Sequence, residues 1–349
     1  MMAPRATSIR LATKNGRRAR KITPTQVLQL ASNAWETGHR EQMEQALAWG
    51  LERWPMHPVL WTLWAESELL AGRWSVQMWR AWNTCRWHQA SATVRQDYVE
   101  LRRKWPEWDG TEQHMAGVPI FLWKEGGDGD YVLYSRYAAL LEDLGAEVIW
   151  HERDGLFPGW QAGKLTCACF VPLQSLPGCF GTTPETIPPP LTPTRLGWPK
   201  WVGSGRSDTK RVVCRWTGNP EQGHDAFRSI YRERPRWADE DLAGVEWVTL
   251  PNAGSWRPTL EALATVDLVI TVDTALFHVA ATLGVPTWLL LSDCHYPVYG
   301  WQGETLAHWY PRGNVRLFRQ QENGQWEGTL ADVRRALEEL TARGGAPSP

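Results

Sequence analysis

The sequence predicts an α/β protein preceded by a small all-α helical module. Three observations predict it. Apolar residues recur at helical spacing from residue 24 to about 104, with glycines as the breaks. From Val118 onward, short β-branched apolar runs alternate with helical segments, the rhythm of parallel strands joined by helices. The clearest such unit runs from Asp267 to Ser292, where a strand passes directly into a helix that closes at Gly284, before Pro286 and a second strand.

Composition sets bounds. The 349 residues allow two or three domains, and Lys plus Arg (37) nearly balance Asp plus Glu (38), so bulk charge gives no sign of a nucleic-acid partner. Residues 1–22 are the exception, with seven Lys or Arg between Arg5 and Lys21 and no acid. They read as a solvated, disordered tail, with a phosphate-binding arm as the other option. No apolar run approaches a membrane span or a signal-peptide core. Six cysteines without a CxxC pair or zinc spacing fit a reducing cytoplasm, and no metal site is expected. The 24 tryptophans are read as packing because many fall at helical spacing.

In chain order, helices are expected at 24–37, 40–53, 59–70, 74–88 and 92–104. The breakers Gly38 and Gly72 lie 72 − 38 = 34 residues apart, a period that resembles the tetratricopeptide repeat. Trp61, Ala65 and Pro55 stand where that repeat favours a Trp, a small residue and a closing Pro. Residues 23–105 are therefore read as a tetratricopeptide-like module that docks on the rest of the chain or on a sister subunit. A protein partner bound through the repeats stays open.

After a polar linker (106–117), a first lobe (118–205) is expected. It holds strands at 118–123 and 146–151 and a weaker one at 168–173. A loop from Glu125 to Asp130 leads into a helix at 131–144, and a Pro-rich tether follows from 177 to 205. The second lobe (206–345) is expected to hold strands at 211–216 and 245–250, helices at 237–243 and 259–265, the Asp267–Ser292 unit, and a last helix at 329–343.

Three clusters carry chemistry. The Gly-rich loop places Gly127, Asp128, Gly129 and Asp130 between a strand and a helix, where a carboxylate can take a proton from a hydroxyl or can cap the helix. Arg215, Arg228 and Ser229 follow the strand at 211–216; the arginines can clamp phosphate, or Arg228 can pair with Asp225 at i,i+3. Asp273, Thr274 and Ala275 open a helix at a sheet edge where free amides favour an anion, and His278 lies one turn on. For Asp273 a helix cap and for His278 a core role are the structural alternatives.

These segments, with Ser135-Arg136-Tyr137, Pro172 to Pro177, Trp216 to Pro220 and Trp309-Tyr310-Pro311 through Gln320, resemble the heptosyltransferase-like glycosyltransferases of family nine, in the branch with N-terminal tetratricopeptide repeats. The resemblance implies a GT-B-like pair of Rossmann-like lobes with the site in the cleft between them. It implies a metal-independent, inverting transfer from a nucleotide diphosphate sugar to a glycan, lipopolysaccharide or protein hydroxyl. Asp130 would be the general base, and Gly127, Asp128 and Gly129 its acceptor-side loop. Thr274 and Ala275 would hold the donor diphosphate, Asp273 would orient that turn, His278 would lie beneath it, and Arg228, Ser229 and Arg215 would lie near the donor. No cofactor beyond the donor is implied. The alternative is a non-catalytic scaffold whose repeats recruit a partner and whose lobes are degenerate.

Overall fold

A computed structural model describes residues 22–151, 156, 166–206, 208–223, 225–231, 235–238, 242–252, 254–293, 308–311, 313–322 and 324–342. The basic tail except Ile22, the segment 157–165, part of the helix expected at 237–243, and Cys294 lie outside the described residues.

Five helices open the chain: α1 (Pro24–Glu36), α2 (Arg40–Arg53), α3 (Pro58–Leu70), α4 (Val76–Cys85) and α5 (Ala92–Lys104). Their starts follow from local chemistry. Thr23 and Ser75 accept backbone N–H bonds from Gln26 and Met78, and proline occupies the first turn of α1 and α3, where a missing N–H costs nothing. Gly38 (φ 75°) and Gly72 (φ 67°) supply the left-handed turns between helices.

Two parallel sheets follow. The first has the order β2-β1-β3, from β1 (Pro119–Trp123), β2 (Glu147–Trp150) and β3 (Cys169–Pro172). The second has the order β5-β4-β6-β7-β8, from β4 (Lys210–Arg215), β5 (Val245–Trp247), β6 (Leu268–Val272), β7 (Thr287–Leu291) and β8 (Val315–Arg319). Both central strands β6 and β7 are buried along their whole length, as strands covered on two faces must be. In each sheet the order reverses beside the first strand, between β1 and β3 and between β4 and β6. Open α/β sheets bind ligands outside the carboxyl ends at such points.

The helix expected at 131–144 begins three residues earlier and is interrupted: α6 (Asp128–Tyr134), a tight turn at 135–137, and α7 (Ala138–Asp143). Asp128, Gly129 and Asp130 therefore lie in a helical first turn and not in a loop. The later helices are α8 (Leu176–Cys179), α9 (Asp225–Arg228), α10 (Trp256–Leu263), α11 (Ala275–Leu283) and α12 (Glu327–Ala342). Gly284 (φ 95°) ends α11 as its stop signal requires. Strand β8 is not expected from the sequence.

The Pro-rich segment from 177 to 205 is packed rather than loose. Leu191, Leu196 and Trp198 are buried, and the buried Arg136 guanidinium donates to the carbonyls of Pro188 (3.1 Å) and Trp309 (2.7 Å). The helical module is fixed on the first lobe through α4. Trp79 donates to the Thr182 carbonyl (2.7 Å), Trp82 to that of Gln174 (3.2 Å) and Asn83 to that of Ser175 (3.1 Å). One apolar cluster runs from Val27 in α1 through Trp82, Tyr131 and Val171 to Leu289. A second, with Trp288, Phe318, Val333 and Leu337, holds α12 on the second sheet.

Candidate functional site

The carboxyl ends of β1 and β3 face those of β4 and β6 across a cleft of about 860 Å³. On the first lobe its wall is Glu125, Gly126, Gly127, Asp130 and Gln174; on the second it includes Asn219, Arg228 and Asp273.

Asp130 sits on the third residue of α6. One carboxylate oxygen, Oδ2, accepts the Gly127 N–H at 2.9 Å, the reciprocal bond of a helix start. The other, Oδ1, is buried with no hydrogen-bond partner. Burial pushes the carboxyl up to about 6, against the pull of the Gly127 amide, Lys124 and Arg228. A Cβ on Gly126 would lie 2.5 Å from Asp130 Oδ2 and 2.7 Å from Gln174 Nε2, so a larger residue there would displace those side chains. Asp128 adds little negative charge to the cleft. Its carboxylate is held by Lys124 (3.3 Å) and by the Trp256 indole N–H (2.9 Å), which ties α6 to the second lobe.

Across the cleft, Arg228 joins the ends of β4 and β6. Its Nε donates to Asp225 (3.0 Å) and its Nη1 to the Asp273 carbonyl (2.7 Å). Ser229 takes the Gly218 N–H (2.8 Å) and donates to Asp225 (2.9 Å), so it shapes the turn after β4. Asp273 is not the helix cap. Thr274 holds the N-cap position of α11, and its side chain makes no cap bond. The Asp273 side chain is 3% exposed, and its Oδ1 is without a hydrogen-bond partner. Burial pushes its carboxyl up to about 7; Arg228 opposes this and Asp130 adds to it.

Arg215, Thr274 and Ala275 do not line the cleft, and His278 lies directly behind its wall, with Nε2 3.9 Å from Asp273 Oδ1. His278 is fully buried in the core, with Nδ1 2.7 Å from the Tyr310 hydroxyl, and burial together with Arg136 pushes it down to about 3, so it is neutral. Arg215 is exposed and donates to the Thr217 carbonyl (2.9 Å), outside the cleft lining. Thr274 and Ala275 are half-buried beneath α6. A Cβ on Gly129 would lie 3.3 Å from Ala275 Cα and 3.0 Å from His278 Cδ2, so the two helices meet there without room for a side chain.

The sequence did not point to the third wall. Trp35 and Glu36 of α1, Thr62 and Glu66 of α3, and Trp82, Arg86 and Trp87 at the end of α4 also line the cleft. Arg86 is welded to Glu125 by bonds of 2.9 and 3.0 Å and donates to Ser175 (2.8 Å). Burial raises the Glu125 carboxyl and Arg86 opposes the rise. A lone Arg at a helix end carries no sequence signal of such a bond, since its partners are set by docking.

Among the described residues, no group of three or more His, Cys, Asp or Glu could hold a metal ion. No described helix is long and apolar enough to cross a membrane. No protein-family model matches the chain, and no curated protein or solved structure matches it either. The arrangement itself offers a raised, half-satisfied carboxyl on one sheet edge facing an arginine and a second carboxyl on the other.

Proposed function

We propose that the chain is a metal-independent, inverting glycosyltransferase that moves a sugar from a nucleotide diphosphate sugar to an acceptor hydroxyl. The observation that carries this reading is Asp130. It sits at a sheet switch point, lines the cleft, and keeps one buried carboxylate oxygen open. A carboxyl pushed up to about 6 is a stronger base than an ordinary one and is still mostly ionised at neutral pH. In this reading Asp130 takes the acceptor proton as the hydroxyl oxygen attacks the anomeric carbon and the diphosphate leaves. Arg228 faces the departing negative charge. The helical module would be the repeat region of such an enzyme, and the cytoplasm its compartment.

A second reading, a non-catalytic scaffold, is favoured by one observation. Gly129 covers Ala275 closely at the place where the donor diphosphate would bind. Donor binding separates the two. The protein is incubated with ADP-, GDP- and UDP-sugars, and both binding and release of nucleotide diphosphate are measured. Turnover with one donor is expected, and Asp130→Asn should lower it by about 10²–10⁴ while donor affinity is retained. Absence of binding by every donor sinks the enzyme reading, and unchanged turnover in the variant removes Asp130 as base.

A further inference from the structure

The helical module is a wall of the cleft, and its inner face has the wrong charge for an anionic ligand. Along α1, Ser32, Trp35 and Glu36 share one face at i, i+3 and i+4; along α3, Thr62, Glu66 and Leu70 share another. Both faces look into the same space as Asp130 and Asp273.

Among the described residues, the cleft lining carries six carboxyls, those of Glu36, Glu66, Glu125, Asp130, Glu221 and Asp273, against two cations. Both cations are already engaged. Arg86 is spent on Glu125, and Arg228 on Asp225 and the Asp273 carbonyl. Asp130 and Asp273 each keep a buried carboxylate oxygen with no hydrogen bond, that of Asp273 lying 3.9 Å from His278 Nε2, and the Asp273 side chain is 3% exposed.

Glu66 extends this pattern into the helical module. It makes no hydrogen bond or ion pair with any described residue, and its neighbours along the wall, Met43, Leu63, Leu70 and Trp82, offer none. Burial alone pushes its carboxyl up to about 8. Half-buried at the cleft wall and without a partner among the described residues, this carboxyl resists ionising, and a ligand cation would favour its charged form.

We infer that Glu66 anchors an ammonium group of the acceptor, so that the helical module selects acceptors carrying an amine near the reacting hydroxyl. The acceptor role rests on the glycosyltransferase reading; the binding of an ammonium group does not. Two sources of that chemistry are a lysine side chain in a peptide and a free amino sugar.

The test uses the full chain without any donor, so its outcome is independent of turnover. Calorimetry measures binding of a serine-flanked lysine pentapeptide and its acetyl-lysine form, and of glucosamine and N-acetylglucosamine. In at least one pair the amine should bind about tenfold or more tighter than its acetylated form, the scale of a charged hydrogen bond. The pair that shows the preference identifies the source. Glu66→Gln should remove most of the preference while its circular dichroism is unchanged and its melting remains cooperative, whereas Glu66→Asp should keep part of it. Equal binding of amine and amide in both pairs overturns the inference, as does a preference that survives in Glu66→Gln. If the amine preference is found and no donor is turned over, the anchor stands and the glycosyltransferase reading falls.

Discussion

Replacing Arg86 with methionine should destabilise the whole chain, and the size of the loss can be worked from its contacts. The guanidinium meets Glu125 with Nε and Nη2 at 3.0 and 2.9 Å, and the two side chains are only 7% and 4% exposed. It also donates to Ser175 (2.8 Å), reaches the carbonyls of Trp82 (3.3 Å) and Asn83 (3.2 Å), and lies 4.0 Å above the Trp87 ring. Methionine fills much of the volume but leaves the Glu125 carboxylate buried and uncompensated. Breaking one side of such a pair costs about 3–5 kcal/mol. Removing both charges in Arg86→Met with Glu125→Met should return much of this, because neither ion then needs solvation. Recovery stays incomplete, since the Gln174 N–H loses its 2.9 Å acceptor. Urea titrations at neutral pH of the wild type, Arg86→Met, Glu125→Met and the double variant, followed by tryptophan fluorescence, give the four free energies and from them a coupling energy of about 2 kcal/mol or more. A loss below about 1 kcal/mol for Arg86→Met, the value of an exposed pair, would refute the reasoning.

Glu66→Gln should flatten the dependence of stability on pH. Its folded carboxyl is pushed from 4.5 to about 8, so the folded state holds the proton more tightly and wild-type stability falls as pH rises across that window. Melting temperatures from pH 5 to 9 with parallel slopes in both proteins would count against it. Gly129→Val should lower stability by about 1–3 kcal/mol, because the added carbons meet Ala275 and His278. An unchanged melting temperature would show that α6 and α11 do not pack so closely. Tyr310→Phe removes the 2.7 Å bond to buried His278 and should cost about 1–3 kcal/mol, checked by denaturation; a neutral substitution contradicts the pairing. Under the proposed function, turnover should rise with pH through about 6 as Asp130 loses its proton, and a profile flat from pH 5 to 7 would exclude that assignment.

What was legible in the sequence was local. The breaks at Gly38, Gly72 and Gly284 are visible because positive φ selects glycine, and the helices between them follow from apolar spacing. The buried strands β6 and β7 stand out because Leu268 to Val272 and Thr287 to Leu291 are continuous apolar or β-branched runs. Strand β8 is harder to see, since Val315–Arg319 places Arg316 and Arg319 among its apolar residues and, among the described residues, has no strand on its far side. The start of α6 was hidden because Asp-Gly-Asp reads as turn chemistry, whereas here Asp130 caps its own helix through Gly127. The site divides along the same line. Asp130, Arg228 and Asp273 follow strands and could be placed from strand order. Glu66 and Arg86 reach the cleft only because α3 and α4 dock there, a fact that no local pattern holds.

The apolar cluster that joins α1–α4 to both sheets bears on how the chain can be divided. Its linear map suggests that the helical module could be cut away near residue 117. The cut would strip Trp79 and Trp82 from Thr182 and Gln174, and would bare the apolar face of α8 to water. A fragment beginning at Val118 should therefore be recovered mainly as aggregate. Among the described residues the first lobe has three strands, and the module serves it as a further layer of its interior.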